Sequence, residues 1–529
     1  MSEKRILLQL RGARLRAKDF PALDNFSLTL ESGARIALIG ESGKEAVLRL
    51  IAQGPGRGES LGGEIGFGGR DMLPLHRMEQ RLRIGFLPDP RLETLSPHAN
   101  AAGQLVRILA RGTGIAPMAA REKLQTQLER LAGAPALDAF EKKPVALSPT
   151  LLAWGFFAVA MALEPEILLC DAPWDDLGPR LAGLLVAALL REQQRLGFAL
   201  LYAARDLRLV RALEAQTIVL CQGKTVEEGA FDSLAKPYSQ NLLRSLPRRQ
   251  AAAPQKINRG EPLLQVQGLK LRKGRKQEAL SFELRRGAAL ALIGEEGSGR
   301  HALMRAALGI DPVAEGRIVF DAVDLRILSR SMTARLRRRI AFVDGSDAAL
   351  DPRLTIRDTV DEPLRANLNM SRELLDGHRE AALGRVGIGS LPEDRLVATL
   401  STFDKRRLQI ARAMVSLPQL VVLDAPLQGL DVLERGVIAE LLRDLRRREG
   451  PVFLLITHDF AVAQALAEEG FVLQDGRVIE RGPLFEMTRA PRQAHTSMLV
   501  KAALGHAESV SQKPLPGVET AQVPLEENP

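Results

Sequence analysis

The chain opens with two β-like stretches, Ile6–Leu15 and Phe26–Leu30. A turn at Gly33 follows, and Arg35–Ile39 reads as a buried strand running into a glycine-rich loop. Val47–Ala52 predicts the first part of the next helix. Helical periodicity returns over Ala119–Leu131, with Leu124, Leu128 and Leu131 on one face. Trp154–Leu163 predicts a buried helix, and Ile167–Cys170 a strand buried on both faces, as in a parallel sheet. A helix over Arg180–Leu196, a strand over Phe198–Tyr202 and a closing hairpin over Ile218–Glu228 complete the series.

From Leu263 the same order begins again. Gly40 opens GESGKEAVLRLI, and Gly294 opens GEEGSGRHALMRAALG. Asp171 ends one apolar run and Asp424 another, each followed by Ala-Pro, at an offset of 253 residues (171 to 424). Arg205-Asp206 and His458-Asp459 keep the same offset of 253 (206 to 459). A repeat of this length is a duplicated domain, not a solenoid. A glycine-rich turn after a strand, with a distant strand ending in Asp, is the layout of a P-loop nucleotide-binding domain. The expected fold class is α/β: two tandem P-loop NTPase domains, each with a helical subdomain near 99–160 and 357–415. The expected boundaries are 5–246 for the first domain, 247–262 for a polar, proline-punctuated linker and 263–505 for the second. A disordered tail is expected over 506–529.

Composition adds few constraints. The 529 residues are 46% hydrophobic and 26% charged, as in an ordinary globular protein. The net charge is +9, and the densest basic stretches, Arg335–Arg339 and Arg443–Arg448, read as solvated helix faces. With two Trp and two Tyr, base-stacking platforms for nucleic acid are not expected. Cys170 and Cys221 lie in strand-like runs and read as buried and reduced, as in the cytosol. The N-terminal MSEKRILLQL lacks a signal-peptide core, and the apolar run Leu181–Leu190 is too short to span a bilayer. A membrane function would therefore need a separate membrane-spanning partner.

A P-loop holds phosphate with backbone N–H groups and a helix N-terminus; its Lys reaches the β- and γ-phosphates and the next Ser or Thr holds Mg²⁺. In the second copy Gly294, Glu295, Gly297, Ser298 and Gly299 keep the glycine spacing, while Arg300 replaces Lys and His301 replaces the hydroxyl residue. Arg300 keeps the charge in a planar fork, and His301 is a poor ligand for a cation that prefers oxygen. In the first copy, Gly40, Ser42, Gly43 and Lys44 allow two alignments. With a two-residue deletion, Lys44 takes the lysine position and Glu45 the hydroxyl position. Without it, both fall on a Ser-Gly pair and the lysine is lost.

These motifs, with GGEIGFGGRDML (62–73), ALDPRLTIRD (349–358), IARAM (410–414), GLDV (429–432) and LITHDFAVA (455–463), resemble the ATP-binding-cassette (ABC) ATPases. The resemblance spans residue 5 to about 505 and is nearest to fused subunits of the oligopeptide, dipeptide and nickel importers. It implies ATP and Mg²⁺ as cofactors. It also implies that Asp171 and Asp424 position the metal, and that the residue polarising the attacking water is Glu; here those positions are Ala172 and Ala425. Losing such a base costs on the order of 10² to 10⁴ in rate. The signature loop maps to Leu147–Leu151 and Leu400–Asp404, keeping Ser148 and Ser401 but neither glycine pair. The Q-loop glutamine is replaced near Asp89 and Gly345. The switch histidine is Arg205 in the first half and His458 in the second, and the D-loop Asp is Gly178 and Asp431. Trp174 stands where the family has a small residue. The implied composite sites pair Lys44 with Ser401, and Arg300 and His458 with Ser148. The second is expected to bind nucleotide more tightly.

Three functions follow. The first is the cytoplasmic ATP-binding subunit of an ABC importer for peptides or related small solutes, peripheral on the inner membrane, with weak or absent hydrolysis. Its partners would be transmembrane permease subunits and a solute-binding protein, with no nucleic acid. The second is an inactive pseudo-ATPase that scaffolds or regulates a permease complex. The third, a non-transport ABC protein acting on nucleic acid or ribosomes, would call for a long charged helical linker and basic aromatic patches.

Overall fold

The computed structural model describes residues 5–16, 21–56, 59–68, 70–71, 84–89, 95–131, 133–246, 260–270, 279–311, 315–325, 336, 338–367 and 370–504. Most of the expected linker and all of the expected tail lie outside these residues.

Among the described residues each half contains two sheets. In the first half, β1 (Ile6–Arg16), β2 (Pro21–Glu31), β4 (Ser60–Phe67) and β5 (Arg70–Asp71) form an antiparallel sheet in the order β2-β1-β4-β5. The other sheet holds β3 (Arg35–Gly40), β6 (Ile84–Leu87), β7 (Ile167–Asp171), β8 (Ala199–Ala203), β9 (Gln216–Cys221) and β10 (Lys224–Ala230). Its order is β10-β9-β3-β8-β7-β6, parallel except for the terminal hairpin. The helix α1 (Lys44–Gln53) follows β3. A helical subdomain of α2 (Ala101–Thr113), α3 (Pro117–Arg130) and α4 (Pro149–Ala162) is inserted between β6 and β7. Then come α5 (Pro179–Leu196), α6 (Leu207–Leu213) and α7 (Pro237–Arg244).

The second half repeats this. Strands β11 (Pro262–Lys270), β12 (Leu280–Arg285), β14 (Glu315–Phe320) and β15 (Val323–Asp324) form the order β12-β11-β14-β15. Strands β13 (Ala289–Ile293), β16 (Ile340–Asp344), β17 (Leu420–Asp424), β18 (Val452–Thr457), β19 (Glu469–Gln474) and β20 (Arg477–Pro483) form the order β16-β17-β18-β13-β19-β20. The helices are α8 (Arg300–Ala307), then α9 (Ile356–Asn367), α10 (Arg372–Arg385) and α11 (Thr402–Met414) as the helical insert. They continue with α12 (Val432–Glu449), α13 (Phe460–Leu466), α14 (Leu484–Arg489) and α15 (Ala494–Ala503).

The central strands are apolar throughout because both faces are covered. On one face, Leu38, Leu169 and Leu201 pack with α1 and the antiparallel sheet. On the other, Cys170 and Tyr202 pack against the helices around Trp174. Trp174 fills this core with Phe157 at its edge, ring centroids 5.4 Å apart. Cys170 is buried, but Cys221 is half-buried, because it ends β9 at the loop side of the sheet and not within the core.

The halves also pack on each other. Val432 and Leu433 of α12 join the first half's core, and α15 lies against α5. Arg208 crosses the seam. Its guanidinium pairs with Asp206 of its own half at 2.6 Å and with Asp459 of the other at 2.7 Å, and donates to the Ala503 carbonyl at 3.0 Å. Removing a cation shared by two buried carboxylates leaves both unpaired, at a cost of about 3–5 kcal/mol. Arg208→Ala should therefore lower the thermal midpoint by several degrees. An unchanged calorimetric midpoint would show that this contact contributes nothing.

Candidate functional site

The two glycine loops have the same framework. Each ends in a glycine with left-handed backbone, Gly43 (φ 104°) and Gly299 (φ 90°), and each helix begins at the next residue. Lys44 and Arg300 therefore occupy the same first-turn position. Lys44 Nζ donates to the carbonyl of Gly40, and Arg300 Nη1 donates to that of Gly294. The first loop reaches its helix two residues sooner, which matches the gapped alignment. Positive φ at Gly43 and Gly299 requires glycine, and a Cβ on Gly299 would approach Gly476 Cα to 2.9 Å.

At the second loop, Ser298 Oγ and Arg300 Nε are buried without a hydrogen-bond partner. Unmet polar atoms inside an N–H-lined turn fit an anion. Burial lowers the Arg300 pKa, opposed by Asp424 and the loop glutamates. Beside it, His301 Nε2 lies 2.9 Å from Asp424 Oδ2. Gly345, at the Q-loop position, donates its N–H to the Asp424 carbonyl at 2.7 Å. A Cβ there would collide with the Ala425 carbonyl oxygen, so a glutamine cannot be accommodated. Arg406, fully buried, ties this corner together by donating to the carbonyls of Gly345 and Pro426.

The first loop is arranged differently. Lys44 is only 1% exposed and pairs with Asp431 of the other half at 3.0 Å. Burial pushes the Asp431 carboxyl up to about 6, with Lys44 pulling the other way. Asp171 is likewise raised to about 6, by burial first and then by Glu45. A cleft of about 870 Å³ opens here, lined by Ser42, Gly43, Glu45 and Asp171 among others. Two facing carboxylates where phosphate should sit repel an anion.

The remaining anomalies pair with one another. Arg205, at the switch position, binds Asp89, at the Q-loop position, at 2.7 Å, with both largely buried. It also reaches Asp176 at 3.2 Å, which accepts Gly429 N–H of the other half at 2.8 Å. Tyr202 and the N–H groups of Arg205 and Asp206 hold Asp175. His458 is half-buried, and desolvation and then Arg300 push its pKa down to about 4, so it is neutral near pH 7. Gly178 lies against it: a Cβ on that glycine would sit 3.8 Å from His458 Cβ.

The signature serines cap their own helices. Ser148 Oγ accepts Leu151 N–H at 3.2 Å, and Ser401 Oγ accepts Asp404 N–H at 3.1 Å. Pro149 is the first residue of α4, so its missing N–H and fixed φ suit the helix start. Phe403 lies under the Arg407 guanidinium, 4.0 Å from ring centroid to Cζ. Across the seam, Thr150 Oγ1 donates to Glu296 at 2.6 Å, and Arg180 grips Glu295 at 2.7 and 3.0 Å. These contacts set the first signature loop against the second glycine loop, as the resemblance implies. The opposite loop meets Asp431 and not Ser401, which is bonded to Asp404. Sequence reasoning missed the Arg180–Glu295 and Arg205–Asp89 pairs. The second was detectable, because two departures of opposite charge stood at positions already singled out.

Duplicated sheets with helical inserts, a glycine loop at each β3-like strand and an Asp at each β7-like strand define a tandem cassette ATPase fold. The family model for ABC transporters matches residues 23–175 and 277–428, and the chain belongs to that family. It is 30% identical to the uncharacterized ABC transporter ATP-binding protein YejF of Escherichia coli, over 90% of this chain and 95% of the relative. It is 27% identical to the glutathione import ATP-binding protein GsiA of Salmonella typhimurium, over 91% of this chain and 86% of the relative. It is 28% identical to the peptidoglycan transport ATP-binding protein YejF of Agrobacterium fabrum, over 93% and 94%.

Asp171 gives a test with a definite sign. Its folded pKa, about 6, lies above its unfolded value, so its contribution to stability is full below about pH 4 and is lost as pH rises through about 6. Asp171→Asn should match the parent at pH 4 and exceed it at pH 7.5 by on the order of 2 kcal/mol in urea denaturation. An equal gap at both pH values would refute the shift.

Proposed function

We propose that the chain is the ATP-binding subunit of an ABC importer for peptides or related small solutes, with weak or absent hydrolysis. The importer assignment is supported by relatives named for glutathione import and peptidoglycan transport across nearly the whole chain. Among the described residues no helix is long and apolar enough to cross a membrane. In this reading the chain sits on the cytoplasmic face of the inner membrane beneath transmembrane permease subunits, which receive solute from a solute-binding protein.

The observation that carries slow turnover is the pair Ala172 and Ala425. Each follows its strand-end Asp, each has left-handed backbone (φ 40° and 43°), and neither has a side chain able to take a proton. Neutral His458 and the capped signature serines do not replace such a base. The second loop, with its unmet Ser298 Oγ and Arg300 Nε, is the tighter nucleotide site. Replacing Arg300 by Glu should abolish its binding.

A second reading, a pseudo-ATPase scaffold, is favoured by the Lys44–Asp431 pair. That contact draws the first loop's lysine onto the opposite half and holds the seam with protein charges alone. Turnover separates the two. Phosphate release by the purified full chain with Mg²⁺ should be at least about 10²-fold below that of an intact cassette. Ala425→Glu alone should not restore it, because Pro149-Thr150 still faces that loop. Release at ordinary transporter rates, abolished by Asp424→Asn, would overturn the slow-turnover reading.

A further inference from the structure

We infer that the second glycine loop takes its nucleotide without a divalent cation, the imidazole of His301 standing where the family places the metal's hydroxyl ligand. This rests on the reading above that the loop binds adenine nucleotide, and it specifies the form bound.

His301 is the second residue of α8, directly after Arg300, and its Nε2 meets Asp424 Oδ2 at 2.9 Å. The ring therefore replaces a hard oxygen donor and engages the one strand-end carboxylate that would have held the ion. Magnesium needs near-octahedral oxygen ligation, and imidazole suits softer metals. The neighbouring glutamates of the loop are engaged by protein groups. Glu295 is gripped by Arg180, Glu296 accepts from Thr150, and Gly345 brings no side chain. Among the described residues no group of three or more His, Cys, Asp or Glu is placed to hold a metal.

The anion cradle persists without the ion. Gly297 and Gly299 are left-handed, the Ser298 hydroxyl is buried and unpartnered, and the Arg300 guanidinium lies at the helix start. Backbone N–H groups and a guanidinium neutralise phosphate without a metal, so the loop selects the free nucleotide and not its magnesium complex.

The test is a titration of the full-length chain with a fluorescent N-methylanthraniloyl ATP, once in excess Mg²⁺ and once in excess EDTA. Binding in EDTA should equal or exceed that in Mg²⁺, and Arg300→Ala should remove the EDTA-resistant part. His301→Ser, checked for native circular dichroism, should make affinity rise about tenfold or more with Mg²⁺. A tenfold or greater loss in EDTA for the parent chain overturns the inference and leaves the nucleotide reading standing. EDTA-resistant binding that survives Arg300→Ala places the site elsewhere and also overturns it. Absence of binding in both buffers rejects the nucleotide reading, and the inference with it.

Discussion

Desolvated charge at the seam between the halves is the constraint on which the rest of the structure depends. Lys44, Arg208 and Asp459 are almost fully removed from water, as is Asp176. A charge in that position is tolerable only when an opposite charge or a ring of donors faces it. Each finds that partner in the other half or shares one that reaches it. The seam is therefore defined by complementary side chains, and the glycine loops, strand ends and D-loop positions are held where those pairs put them.

The same constraint explains how departures from the motifs of the resemblance are compatible with a well-ordered fold. Asp89 and Arg205, at the positions where the resemblance implies a glutamine and a histidine, neutralise each other. The hydroxyl position has become His301, which satisfies Asp424. A signature glycine position has become Thr150, which bonds Glu296. Each replacement trades a group directed at a ligand for one directed at protein. Under the slow-turnover reading, catalytic groups are given up while burial and hydrogen bonding are retained.

Most of the architecture was legible because it rests on local pattern. The apolar strands, the repeat at a fixed offset and the glycines of both loops are written in contiguous residues. The gap in the first loop was left open by the sequence. It is settled by where α1 begins, since Gly43 and Gly299 adopt the same left-handed turn. What the sequence hid was pairing across long separation. Nothing near Arg180 announces Glu295, and nothing near Lys44 announces Asp431. The serines were also ambiguous, because the hydroxyl that could face a phosphate is the one that caps a helix. Accepting the cap N–H leaves Ser148 its own O–H to donate, whereas the Ser401 O–H is directed at Asp404.

The seam has a consequence for assembly. Arg180 faces Glu295, but the matching position in α12 is Leu433, which is packed into the first half's core near Glu41. Lys44 meets Asp431, whereas Arg300 has only Gly178 at the equivalent place opposite. Two copies of the second half would set Leu433 against Glu295, and two copies of the first would leave Lys44 with no acid to meet. The halves have become lock and key to each other. Surfaces complementary in this way favour the pairing of a first half with a second half over the pairing of two like halves.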